Sequence, residues 1–157
     1  LRAALVGCGK VARIHAAALA HLPEAELVAA CDTDFSRAEA LASEYGARPF
    51  ADLCRMLADV AVDAAIVCTP HPLHAEPAIA AAERGVHVLV EKPLAANLAD
   101  CHAMLAAATR AGVKLGVVSQ RRFYEPVLRM KAAIDAGKIG KPVLGLVLML
   151  NLSLIHI

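Results

Sequence analysis

The chain has 157 residues, 59% of them hydrophobic, and a mean hydropathy of +0.56, which is enough to bury one full core in a single main domain. Sixteen Lys and Arg against 15 Asp and Glu leave a formal charge of +1 with no clustered basic stripe. With 3% aromatics there is also little to stack on bases, so nucleic acid is excluded as the expected partner.

In chain order, short β-branched runs alternate with alanine-rich segments. Residues 3–6 read as a strand, 11–22 as a helix and 26–31 as a second strand. A helix follows over 35–45, with Gly46 placed to end it, then a short helix over 51–58 and a buried strand over 63–68. Residues 74–84 are helical, and 86–90 form a strand entered from Gly85. Asn97 caps the next helix, whose apolar positions Leu98, Cys101, Leu105 and Ala108 keep helical spacing up to Gly112. A strand over 114–118 and a helix over 126–136, bracketed by Pro126 and Gly137, complete the readable pattern. Five to six strands alternating with helices need crossover connections, so the fold class is α/β with a doubly wound parallel sheet.

The end of the chain, from Val143 to Ile157, is uncharged and mostly apolar but shorter than the ~20 residues of a membrane-spanning helix; its start suits a strand over 143–149, and no membrane partner is expected. Residues 152–157, Leu-Ser-Leu-Ile-His-Ile, match what a common transposase sequencing adapter encodes, so this tail is expected not to be of protein origin; the alternative is a chance apolar strand end. No secretory leader pattern precedes the first strand. Cys8, Cys31, Cys54, Cys68 and Cys101 form no CxxC pair and read as reduced thiols of a cytoplasmic protein.

The first motif with chemistry is Gly7-Cys8-Gly9-Lys10-Val11-Ala12, a GxGxxA between a predicted strand and a predicted helix. Gly7 permits the tight turn, Gly9 lets a pyrophosphate approach the backbone, and Ala12 allows close packing of helix on strand. Alone, the same pattern also describes a glycine turn that binds nothing. Asp32, at the end of the second strand and 23 residues past Gly9, stands where a ribose-binding acid belongs, so the two together point to a Rossmann dinucleotide site. A carboxylate there repels a 2′-phosphate, and Thr33 is not the Arg that would neutralise one; NAD is favoured over NADP, with Arg37 the nearest argument against. Asp32 as a plain helix cap is the alternative, although Asp34 is better placed for it.

Further along stand Thr69-Pro70-His71-Pro72-Leu73-His74, Glu91-Lys92-Pro93, Gln120-Arg121-Arg122-Phe123 and Gly137-Lys138-Ile139-Gly140-Lys141-Pro142. In order and spacing these resemble the Gfo/Idh/MocA oxidoreductase family over residues 1–151. The resemblance implies that Gly7, Cys8, Gly9, Lys10 and Val11 hold the pyrophosphate, that Asp32 holds the adenosine ribose, and that Thr69, Pro70 and His74 line the cleft. It places Glu91, Lys92 and Gln120 near the nicotinamide, with Lys92 as the catalytic lysine that orients a substrate hydroxyl, and it implies a cis peptide at Pro93. A His or Asp from a second domain, beyond Asn151, would take the proton.

The domain organisation so implied is an NAD(P)-binding domain over 1–121 and a linker helix and first strand of a second, α+β domain over 122–151. The implied reaction is hydride transfer between NAD and a sugar, inositol or related polyol or aldehyde, in a protein that is a homo-oligomer at full length. An NAD-using glycoside hydrolase and a non-catalytic NAD sensor remain as alternatives. Three further readings come from the residues alone. Lys92 is expected to be partly buried. His71 and His74 have an HxxH spacing without an acidic or cysteine ligand nearby, which argues against zinc. His15 and His21 read as surface or phosphate-proximal positions on the first helix, and Met104 and Met130 as core fillers.

Overall fold

Strands that are buried on both faces carry apolar side chains at successive positions, as in the runs Ala-Ala-Leu-Val and Ala-Ala-Ile-Val of this chain. In a computed structural model, which describes residues 1–146, these runs form β1 (Arg2–Val6) and β4 (Ala64–Val67), adjacent in one parallel sheet. The sheet contains six strands in the order β3-β2-β1-β4-β5-β6, with β2 at Glu26–Cys31, β3 at Arg48–Phe50, β5 at His87–Val90 and β6 at Leu115–Val117. This is the doubly wound α/β arrangement that the alternation of elements predicts. Reversal of strand order between β1 and β4 opens a crevice beyond their C-terminal ends, where ligands bind in such sheets.

Both faces are covered. Helices α1 (Lys10–Ala20) and α2 (Phe35–Tyr45) pack on one face, where Ala12, Ala16 and Leu19 of α1 and Ala38, Leu41 and Ala42 of α2 meet Leu5, Leu27 and Ile66. Helices α3 (Leu53–Asp59), α4 (Ala75–Glu83) and α5 (Leu98–Ala111) cover the other, with Met56 against Val6 and Phe50, and Ala78, Ala81, Met104 and Ala107 against Val67, Val88 and Val90. Alanine at the contact positions brings helix and sheet axes close. The larger fully buried side chains Leu5, Leu41, Met56 and Met104 each contribute about 2 kcal/mol of apolar burial.

The helix starts follow local chemistry. Asp34, Asp52 and Asn97 accept N–H groups of Ser36, Arg55 and Asp100, capping α2, α3 and α5, and Gly46 closes α2 in the left-handed conformation at φ 71°.

The first compact unit is Leu1–Val118 and a second begins at Ser119. Within the second unit, a 3-10 turn at Gln120–Phe123 leads into α6 (Glu125–Asp135), which has Pro in its first turn and buries no residue among those described. Met130 is 55% exposed, so its expected core role does not hold. The strand expected over 143–149 is corrected in part, since residues 143–146 adopt no regular structure and are almost fully exposed. The remainder of that segment and the 152–157 tail lie outside the described residues. No helix among the described residues is long and apolar enough to cross a membrane.

Candidate dinucleotide site

Parallel register sets the site. Val6 pairs with Cys31 and with Val67, and Val67 pairs with Val90, so β2, β1, β4 and β5 end along one line. The next residues, Asp32, Gly7, Cys68 and Glu91, therefore stand side by side along the C-terminal edge of the sheet. Their backbones continue the ladder through Gly7 N–H to Cys31 O at 2.8 Å, Cys68 N–H to Val6 O at 2.7 Å and Glu91 N–H to Val67 O at 2.9 Å.

At Gly7 the chain turns with φ 86°, and a Cβ there would meet Thr69 N at 2.7 Å and the Cys68 carbonyl carbon at 2.8 Å. Only glycine fits, because both the backbone angle and the neighbouring backbone exclude a side chain. Gly9 differs. Its backbone is extended (φ −78°, ψ −165°), and a Cβ would meet nothing within 4 Å, so its surface is open to a ligand. It caps α1 and, as a glycine, puts no side chain on the first N–H groups of that helix. An 11-residue helix with an open N-terminal turn, led by the exposed Lys10 and Val11, is a fitting cradle for a diphosphate.

Asp32 is half-buried, and its carboxylate accepts the Cys8 N–H at 2.7 Å and the Asp34 N–H at 2.9 Å. A carboxylate offers about four lone-pair sites, so two remain for hydroxyl donors such as those of a ribose. The cap of α2 is Asp34, which accepts Ser36 N–H at 3.1 Å and the Ser36 hydroxyl at 2.6 Å; that hydroxyl holds its carboxyl below the ordinary carboxylate range. Arg37, the residue that argued for NADP, pairs through Nε with Asp34 at 3.2 Å. It shares a crevice of about 510 Å³ with Cys8, Gly9, Lys10, Arg13, Ser36 and Ala40. Burial, with the Asp32 charge adding to it, pushes the Cys8 thiol up to about 12, so its side chain packs rather than reacts. The donors, the open glycine and the free lone pairs all fit a dinucleotide.

On the other side of the crevice the Thr69 hydroxyl donates to Leu73 O at 2.9 Å, closing its own loop, and Pro70 is exposed. His74 departs from expectation: it is fully buried, and its ring nitrogens stand 2.9 Å from Thr69 O and 2.9 Å from Pro93 O. It ties the loop after β4 to the loop after β5 rather than presenting a surface to the cleft. Lys92 is exposed, contrary to the partial burial expected, because the preceding Glu91 takes the inward position. The Lys92–Pro93 peptide is cis.

Glu91 has a partner that sequence reasoning missed. His15, on α1, places Nε2 at 2.9 Å from Glu91 Oε1, and Glu91 Oε2 accepts the Lys92 N–H at 3.1 Å. The signal was present in the pattern, since His15 continues the inward stripe of Ala12, Ala16 and Leu19. His21, by contrast, is exposed, and its ring Nδ1 lies 2.7 Å from Ala17 O. Gln120 belongs to the second unit, in its 3-10 turn.

Residues 1–119 match the family model described as the oxidoreductase family with an NAD-binding Rossmann fold. The chain is 37% identical over 145 residues to D-apiose dehydrogenase of Paraburkholderia graminis, covering 92% of this chain and 39% of that protein. It is also 37% identical over 145 residues to the NAD(+)-dependent scyllo-inositol 2-dehydrogenase of Bacillus subtilis, covering 91% of this chain and 42% of the relative. Among solved structures, the WlbA dehydrogenase of Bordetella pertussis, in complex with NADH and UDP-GlcNAcA, superposes with a TM-score of 0.84 at 42% identity, over 88% of this chain and 43% of that one. The chain thus spans about two fifths of the length of these relatives. A family match over residues 1–119, with relatives 37% identical over 145 residues, leads to one conclusion: the chain belongs to the Gfo/Idh/MocA oxidoreductase family.

Proposed function

We propose that this chain supplies the dinucleotide-binding half of an NAD-dependent oxidoreductase that acts on a sugar, an inositol or a related polyol. The observation that carries the reading is the half-buried Asp32 carboxylate, held over the Gly7–Gly9 turn by two backbone N–H groups with lone pairs to spare. In this reading Gly9, Lys10 and Val11 receive the diphosphate at the start of α1, Cys8 completes the turn through its backbone, and Asp32 accepts the adenosine ribose hydroxyls and disfavours a 2′-phosphate. NAD, when bound, supplies the hydride acceptor.

Along the sheet edge from Asp32 to Glu91, the other end of the dinucleotide falls beside the loops after β4 and β5. Thr69 and Pro70 form the wall there and His74 fixes its shape, while Glu91 and Lys92 serve the nicotinamide end. Lys92 is the catalytic residue of the proposal: an ammonium donates hydrogen bonds but accepts none, so it orients a substrate hydroxyl while another group takes the proton. The relatives act on D-apiose and scyllo-inositol, and the solved relative holds a nucleotide sugar acid, which supports a polyhydroxylated substrate class.

Calorimetric titration of the chain with NAD tests the cofactor half, and absence of binding at millimolar NAD overturns it. The substrate half is tested by NADH formation against inositols and aldoses in a protein carrying this segment at the length of its relatives. Lys92→Met is expected to abolish that signal while leaving NAD binding in place.

A further inference from the structure

Two independent periodicities aim His15 and Glu91 at each other. In β5, Val88 and Val90 face the α4–α5 side while Leu89 packs with the α1–α2 cluster; a strand alternates faces, so Glu91 follows Leu89 toward α1. On α1, His15 lies three residues past Ala12 and four before Leu19, on the stripe that faces the sheet. They meet at 2.9 Å with only 17% and 15% of their side chains exposed.

We infer that His15 is a positioning residue for the nicotinamide end of the site, acting through Glu91; this rests on the dinucleotide reading above. A carboxylate only accepts, so His15 donates from Nε2 to Oε1. The other oxygen accepts the Lys92 backbone N–H, and two residues on, Pro93 O meets the His74 ring at 2.9 Å. The Glu91-Lys92-Pro93 segment is therefore held on one side by α1 and on the other by the start of α4. Only the α1 contact comes from the helix that receives the diphosphate, so His15 joins the two ends of the dinucleotide site through one side chain. Without it, a mostly buried carboxylate loses its donor and turns toward water, releasing the Lys92 N–H.

ADP occupies the adenosine and diphosphate part of the site alone, whereas NAD also reaches the β5 loop. Calorimetry of the chain with both ligands therefore separates a positioning role from a structural one. His15→Leu is expected to weaken NAD about tenfold while ADP changes by less than about twofold. His15→Gln, whose side-chain amide nitrogen reaches the place of Nε2, is expected to recover most of the NAD affinity. Glu91→Gln leaves the packing of α1 untouched and is expected to lose NAD selectively as well, which keeps the test decisive if the leucine variant fails to fold. In the double variant His15→Leu/Glu91→Gln the losses are expected not to add. Equal loss of NAD and ADP, or a glutamine variant no better than leucine, overturns the inference alone. Failure of the unaltered chain to bind either ligand overturns the dinucleotide reading and this inference with it.

Discussion

Gly7 and Thr69, just past the ends of β1 and β4, approach so closely that a Cβ on Gly7 would stand 2.7 Å from the Thr69 backbone nitrogen. Two hydrogen-bonded strand ends separate here at the switch point, and their backbones form its floor. Gly7→Ala is therefore expected to destabilise the fold by about 1–3 kcal/mol from the φ 86° backbone alone, with the backbone clash in addition. Gly9→Ala meets no neighbour within 4 Å and is expected to melt within a degree or so of the unaltered chain while losing about tenfold or more in NAD affinity. Thermal melts beside NAD titrations check this. A Gly9→Ala protein that binds NAD normally would show that the diphosphate does not lie against that residue.

Asp32 divides its carboxylate between the fold and the ligand. Its bond to the Cys8 N–H at 2.7 Å shapes the turn, and in the proposed function its remaining lone pairs accept the ribose hydroxyls. The chain is expected to bind NAD about tenfold or more tightly than NADP, through repulsion of a 2′-phosphate. Asp32→Ala should narrow that gap mainly by losing NAD, because it removes both the ribose acceptor and the support of the turn. Asp32→Asn keeps one acceptor for the Cys8 N–H and should separate the two effects. Tighter binding of NADP by the unaltered chain would overturn the assignment.

The elements best read from sequence are those whose local signals agree with their tertiary environment. β2 and α2 fall at Glu26–Cys31 and Phe35–Tyr45 as predicted, the helix because Asp34 and Gly46 mark its ends independently of packing. β3 was not legible: three residues with Pro49 in the middle carry no periodicity, and the proline is tolerated only because the strand lies at the sheet edge. At the site, the glycine turn and the strand-end acid could be placed from spacing, since both are fixed by backbone geometry. The roles of His74 and His15 could not, because each depends on which loop or strand end lies across from it. The family resemblance implies a cleft role for His74, yet its ring is held between two backbone carbonyls.

The cysteines differ sharply in expected reactivity. Burial raises the thiols of Cys8 and Cys68 to about 12 and of Cys31 to about 11, with added repulsion from Asp32 at Cys8, from Asp52 at Cys31 and from Glu91 at Cys68. Cys54 is exposed. At pH 8 a thiol reagent such as iodoacetamide is expected to modify Cys54 first and to leave Cys8, Cys31 and Cys68 intact until the chain is unfolded. Peptide mapping after brief alkylation reads this directly, and early labelling of Cys8 would show that the glycine turn opens in solution.

Arg2 and Asp63 join the N-terminal ends of β1 and β4. Asp63 accepts the Arg2 backbone N–H at 2.7 Å and two guanidinium bonds, at 3.2 Å from Nε and 2.6 Å from Nη2, while its own N–H donates to Arg2 O at 2.9 Å. The guanidinium hydrogen bonds, followed by the backbone N–H, hold the Asp63 carboxyl well below the usual carboxylate range. A depressed folded-state value means that the unfolded chain takes up the proton first. The contribution is therefore fully present above the unfolded value of about 3.9 and is lost as pH falls from there toward the folded value. Asp63→Asn is expected to lower the melting temperature at pH 7, because the charged pair and one acceptor are gone. The gap to the unaltered chain should stay constant down to about pH 5 and then close as the pH drops below about 4. Melting curves of both proteins across that range provide the check. A gap that persists unchanged at pH 2 would mean that Asp63 stabilises the sheet through packing or neutral hydrogen bonds rather than through its charge.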